Sequence, residues 1–192
     1  MVFKTIGNKS NPVILFFHAM GVIGESSMPV AEKMKEKYYC IMPTSTVYCP
    51  GQGYQSKRDE IQQIVRFLEN HGIKEIELAV ASSIGADLAM AFLTETKITV
   101  KHVFLMADSL PRLEDKPFPE LSEELQKHTF WEFGSIEEHF KYRNAVMQTY
   151  IHGNFPVFEG FNHMQYQIQN PEGFARMLKK IIETDRLPEL VF

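Results

Sequence analysis

The chain has 192 residues, a net charge of −4 and a pI near 6.0, which suits one domain spanning residues 1–192 and speaks against a nucleic-acid or anionic-membrane partner. Its hydrophobic share of 44% and charged share of 23% are ordinary for a globular protein, and no apolar run approaches the roughly 18 to 20 residues of a membrane-spanning helix. No leader pattern opens at Met1-Val2-Phe3-Lys4-Thr5, and Cys40 and Cys49 lack metal-ligand spacing, so the expectation is a soluble cytoplasmic protein in a reducing compartment.

Val2 to Ile6 reads as a short edge strand, followed by the turn-rich Gly7-Asn8-Lys9-Ser10-Asn11-Pro12. Val13-Ile14-Leu15-Phe16-Phe17 is a continuous apolar run, the pattern of a strand buried on both faces. Pro29 stands near the start of a helix with Val30 and Met34 on its stripe and Ala31 outside it. Tyr38 to Met42 is the next strand, ended by Pro43, and the loop Thr44 to Gln55 follows. Asp59 and Glu60 open a helix with the stripe Ile61, Ile64, Val65 and Leu68, which Gly72 ends. Ile73 to Val80 is a strand and Ala86 to Leu93 a helix. Val100 to Met106 and Thr129 to Phe133 are further strands. The last helix carries Phe174, Met177, Leu178, Ile181 and Ile182, with Asn170 as N-cap and Pro171 at its first position. Strands alternating with helices predict an α/β fold, a three-layer sandwich around a mostly parallel central sheet.

At one join of strand and helix stands Ala81-Ser82-Ser83-Ile84-Gly85. A serine between small residues suits a sharp turn, because bulk two positions away on either side would meet the crossing backbone. The stretch resembles the nucleophile elbow of the α/β-hydrolase superfamily, Gly-x-Ser-x-Gly, with Ala81 in place of the first glycine. His18-Ala19-Met20-Gly21, after the first core strand, resembles the His-Gly-x-Gly oxyanion loop of the same superfamily, with Ala19 in place of glycine. Pro156 to Met164 resembles its last strand and histidine loop, and Asn170-Pro171-Glu172-Gly173-Phe174 the opening of its final helix.

The resemblance implies a serine hydrolase with Ser83 as nucleophile, His163 as base, and the backbone N–H groups of Met20 and Ile84 as oxyanion hole. The competing role for Ser83 is a helix N-cap, and Ser82 is the poorer nucleophile because no small residue follows it two positions on. Gly134-Ser135-Ile136-Glu137 sets Glu137 at the family's acid position, while Asp108, directly after a strand, is the alternative acid. Ser135 and Glu138 also read as a capping box, which leaves Glu137 free. His18 is expected to orient the oxyanion loop, and His71, His102, His128, His139 and His152 to face solvent or turns. If position 19 requires positive φ, Ala19 strains the loop.

Met20, Met28, Met106 and Met164 lie near strand ends expected to face the site, with the Tyr48 to Tyr54 loop at its rim. Only about 20 residues separate the strand ending near Ala107 from Thr129, which predicts a minimal cap and a shallow pocket for short acyl groups. No Gly-rich phosphate loop, His-Glu-x-x-His or Cys-x-x-Cys occurs, so no cofactor or metal is expected. The expected partner is a small-molecule ester, thioester or related carbonyl substrate, cleaved through an acyl-enzyme intermediate. The apolar end Leu187-Pro188-Glu189-Leu190-Val191-Phe192 leaves a homo-oligomer open. The alternative function is a hydrolase-fold binding or interaction protein with a decayed site, suggested by Ala19, Ala81 and the unsettled acid.

Overall fold

The computed structural model describes residues 1–106, 129–132 and 167–186. The apolar run Val13–Phe17 forms strand β2, every residue of it buried. Its side chains alternate between two cores, Val13, Leu15 and Phe17 to one and Ile14 and Phe16 to the other, which is why no polar residue interrupts it. Around β2 lie β1 (Val2–Ile6), β3 (Tyr39–Thr44), β4 (Glu75–Ser82), β5 (Thr99–Met106) and β6 (Thr129–Glu132). They form a six-stranded sheet in the order β1-β3-β2-β4-β5-β6. Among the described strands only β1 is antiparallel, to β3; the other pairs are parallel.

Helices cover both faces. One core joins Ile61, Ile64 and Leu68 of α2 (Lys57–Asn70) with Ala86, Ala89, Met90 and Phe92 of α3 (Ile84–Glu95). The other joins Val30, Ala31 and Met34 of α1 (Met28–Met34) with Phe174, Met177, Leu178 and Ile181 of α4 (Pro171–Thr184). This is the expected three-layer α/β sandwich. Each fully buried Phe or Leu contributes roughly 1.5–3 kcal/mol of transfer free energy. Helices α2 and α4 are capped at their N-termini as their residue types dictate. Ser56 Oγ accepts from the Asp59 amide at 3.1 Å, Asn170 Oδ1 accepts from the Gly173 amide at 2.9 Å, and Gly72 follows α2 with φ +68°.

Two local expectations differ from the structure. Ala31 is fully buried rather than outside the stripe, because it shares with Val30 and Met34 the core that α1 forms with the sheet and α4. Strand β3 runs through Pro43 to Thr44. Its ladder with β2 ends at Leu15–Ile41, and Pro43 pairs only with Phe3 of β1, so the missing N–H falls where one side is already unpaired. Among the described residues no helix is long and apolar enough to cross a membrane.

The strand order places the site. From β2 the chain moves outward to β3, then returns past β2 to β4, so the direction reverses between β2 and β4. Those two strands are neighbours, with Phe17 beside Ala81 at their carboxyl ends. The connections leaving them diverge, to α1 on one face and α3 on the other, and open a crevice where α/β sheets hold their ligands.

Candidate active site

Ser83 stands at that crevice, between the last residue of β4 and the first of α3, with φ +51° and ψ −123°. Among the described non-glycine residues only Ser83 and Asp185 have positive φ. Asp185 is an ordinary left-handed helix cap with ψ +38°, whereas the Ser83 conformation is sparsely populated and costs about 1–3 kcal/mol. Its surroundings hold it there. The Ser83 amide donates to the Met106 carbonyl at 2.6 Å, and the Ser83 carbonyl accepts from Ala86 at 2.8 Å.

The reason for a glycine at position 85 is now geometric. A Cβ there would lie 2.5 Å from the Phe17 carbonyl oxygen and 2.6 Å from that of His18, so α3 packs backbone against backbone on the end of β2. Ala81, where the elbow pattern has glycine, is fully buried.

Ser83 occupies the N-cap position of α3, yet its hydroxyl makes no capping hydrogen bond. The capping role therefore does not account for it. Ser82 is buried, and its Oγ accepts from Gln167 Nε2 at 3.3 Å. Ile84, half exposed, opens α3. As with the first amides of any helix, its N–H has no intrahelical acceptor, and it carries the positive end of the helix dipole.

The loop after β2 is held by the loop after β3. The Ser45 amide donates to His18 Nε2 at 3.0 Å, and His18 Nδ1 lies 2.8 Å from the Ala19 carbonyl oxygen. Because Nε2 accepts, Nδ1 must carry the proton and donate, which fixes the neutral tautomer. Burial holds this imidazole below its ordinary pKa, against the raising influence of the Ala19 carbonyl and of Glu60. Both ring nitrogens are thus occupied in orienting the loop.

The consequence for Met20 is direct. The Ala19 carbonyl and the Met20 N–H belong to one trans peptide plane and point in opposite directions, so gripping the first aims the second. On the far side, the Gly21 amide donates to Tyr48 Oη at 2.7 Å. Ala19 does not have positive φ, so the feared strain is absent; Gly21, with φ +80°, makes the turn instead.

A cavity of about 470 Å3 opens beside this loop. Phe17, Met20, Val47, Ile84 and Leu88 give it an apolar wall, and Tyr48 and Tyr54 form part of its lining as expected. Its polar wall was not foreseen. Lys57 and Asp87 form a partly buried ion pair at 2.5 Å, and Glu60 is almost fully buried beside them. The signal was present in α2, since Glu60 precedes the buried Ile64 by one helical turn. Residues of the 43–54 loop, α2 and α3 line the cavity, and the short cap on which the shallow-pocket expectation rests lies outside the described residues.

Several expectations fall elsewhere. Met106 is buried in the core against the α1–α4 layer and Met28 packs on the same core, which leaves Met20, joined by the unforeseen Met1, in the lining of the cavity. His71 ends α2. His102 does not face solvent: it lies 3.0 Å from the Glu77 carbonyl and 3.5 Å from Asp185, because β5 is interior to the sheet. His163, Glu137, Asp108, Met164, the other three histidines, the minimal cap and the apolar chain end all lie outside the described residues. Among the described residues no group of His, Cys, Asp and Glu is arranged to hold a metal ion.

No protein-family model matches the chain, and no curated protein matches it in sequence. Solved structures do match. An α/β hydrolase family protein from Desulfitobacterium hafniense superposes with a TM-score of 0.74 at 13% identity, covering 94% of this chain and 100% of that one. A thermophilic esterase from Thermogutta terrifontis gives 0.70 at 12% identity over 95% and 92%. A structure from a study of carboxylesterases of the thaumarchaeon Nitrososphaera gargenis gives 0.67 at 11% identity over 96% of each chain.

Proposed function

The chain has the α/β-hydrolase fold, and from that premise we propose that it is a cofactor-free serine hydrolase of small esters, thioesters or related carbonyl compounds. The observation that carries the reading is Ser83 at φ +51° and ψ −123° with an uncapped hydroxyl. A strained conformation held in place at the crevice, on an N-cap serine whose side chain makes no capping bond, supports a residue kept for chemistry. The hydrolases and esterases among the structural neighbours support the same reaction class.

In this mechanism Ser83 Oγ attacks the substrate carbonyl carbon while His163 takes its proton. The carbonyl oxygen becomes an oxyanion between the N–H groups of Met20 and Ile84, the first aimed by His18 and the second by the start of α3. Collapse expels the alcohol or thiol, which takes the proton back from His163 and leaves an acyl group on Ser83. Water, deprotonated by His163, then releases the acid. Glu137, or alternatively Asp108, would hold the imidazolium. The apolar wall of the cavity supports an acyl or aryl group, and the absence of a positive φ at Ala19 weakens the decayed-site alternative.

The test is a panel of p-nitrophenyl and thiophenyl esters of increasing acyl length. Turnover that vanishes in Ser83→Ala supports the proposal. A folded protein that turns over none of them contradicts it.

A further inference from the structure

The Ser45–Tyr48 turn grips the oxyanion loop at two points, His18 and Gly21, on either side of Met20. The turn is itself anchored from α2. Glu60 Oε1 accepts from the Thr46 amide at 3.0 Å and from Thr46 Oγ1, and Oε2 lies 3.4 Å from the same amide. Glu60 is 1% exposed and Thr46 2%, so this anchor is shielded from water, where a carboxylate hydrogen bond is strong and leaving either partner unpaired is costly.

We propose that Glu60 is a positioning residue for the oxyanion hole, acting through Thr46, Ser45 and His18 on the Ala19–Met20 peptide. The inference rests on the reading that the Met20 amide binds the oxyanion. Each link has one job. Glu60 fixes Thr46, and the adjoining Ser45 amide is thereby aimed at His18 Nε2. That bond selects the tautomer with the proton on Nδ1, which holds the Ala19 carbonyl and turns the Met20 N–H the other way. Without the anchor the turn relaxes, the tautomer is no longer imposed, and the peptide is free to rotate.

Three variants separate this from a merely structural role. Glu60→Met keeps length and removes both acceptors, and Thr46→Val removes only the Oγ1 bond. Glu60→Gln keeps an acceptor oxygen for Thr46. Loss of one oxyanion donor costs about 100- to 1,000-fold in kcat, so loosening one is expected to lower kcat by roughly 10- to 100-fold in Glu60→Met with KM little changed. Thr46→Val is expected to lose less, and Glu60→Gln to recover most of the loss. Independently of turnover, 15N NMR of His18 should show a protonated Nδ1 in the wild type and a mixture of tautomers in Glu60→Met, with faster hydrogen exchange at Ser45.

Unchanged kcat, a rise confined to KM, or an unaltered His18 tautomer and Ser45 exchange rate would overturn the proposal. Should Glu60→Met fail to fold, the same readouts on Thr46→Val decide it. If the wild type turns over no ester, the proposed function falls while the His18 and Ser45 measurements still judge the positioning chain.

Discussion

Gly85 and Phe17 meet backbone to backbone: a methyl group on the glycine would sit 2.5 Å from the Phe17 carbonyl oxygen. That contact sets how closely α3 approaches the end of β2, and hence how near the Ile84 amide lies to the loop after β2 that the proposal assigns to the oxyanion. Gly85→Ala forces the helix away from fixed backbone, for which no side-chain rotation can compensate. The expected loss is about 1–3 kcal/mol, read as a lower urea midpoint with unchanged slope, together with reduced activity.

The strain at Ser83 makes a second prediction that separates stability from function. Glycine adopts this region without steric conflict, whereas alanine does not. Both Ser83→Ala and Ser83→Gly are expected to abolish turnover. Ser83→Gly should nevertheless be the more stable of the two by about 1 kcal/mol, the released strain exceeding the added freedom of the unfolded chain. Thermal unfolding of the two variants side by side checks the order; equal or reversed stability would mean that the elbow stores no strain.

His18 should make the fold sensitive to acid. Its folded-state pKa lies below the ordinary 6.5 because burial disfavours the cation. Protonation also places a proton on Nε2, where the Ser45 amide donates. The unfolded chain therefore takes up this proton first, and stability falls as pH drops from about 6.5 toward the lowered folded value, then levels off. Urea unfolding across pH 7 to 4 should show a shallower decline in His18→Gln than in the wild type over that window. Parallel curves would remove His18 from the account.

The cavity predicts chain-length selectivity. Each methylene buried against Val47, Ile84 and Leu88 is worth about 0.8 kcal/mol, roughly fourfold in kcat/KM. kcat/KM should climb with acyl length until the cavity is filled and then level. Leu88→Phe should move that plateau to shorter chains while leaving acetyl esters nearly unaffected. A length profile identical in the variant would place the acyl group elsewhere.

Much of this was legible in the sequence because it rests on local rules. The run Val13–Phe17 has no polar interruption, so it had to be covered on both faces. Asn170 and Pro171 announced the last helix, and the small residues around Ser83 marked a sharp strand-to-helix turn. What stayed hidden depends on distant segments meeting. Nothing local says that Ser45 will donate to His18 or that Thr46 will bury Glu60, since those pairs are 27 and 14 residues apart. Pro43 misled for the same reason: its tolerance depends on where a neighbouring strand stops. Glu60 belongs with them: it stands one turn before the buried Ile64, but the group that satisfies it is on another segment.

The central claim is that Ser83 is the nucleophile. Treat the folded wild-type protein with a fluorophosphonate and locate the adduct by mass spectrometry of the peptide carrying Ser82 and Ser83. The account predicts one phosphonyl group on Ser83, retained in Ser82→Ala and absent in Ser83→Ala. No adduct on the folded protein, or an adduct on Ser82, would contradict it.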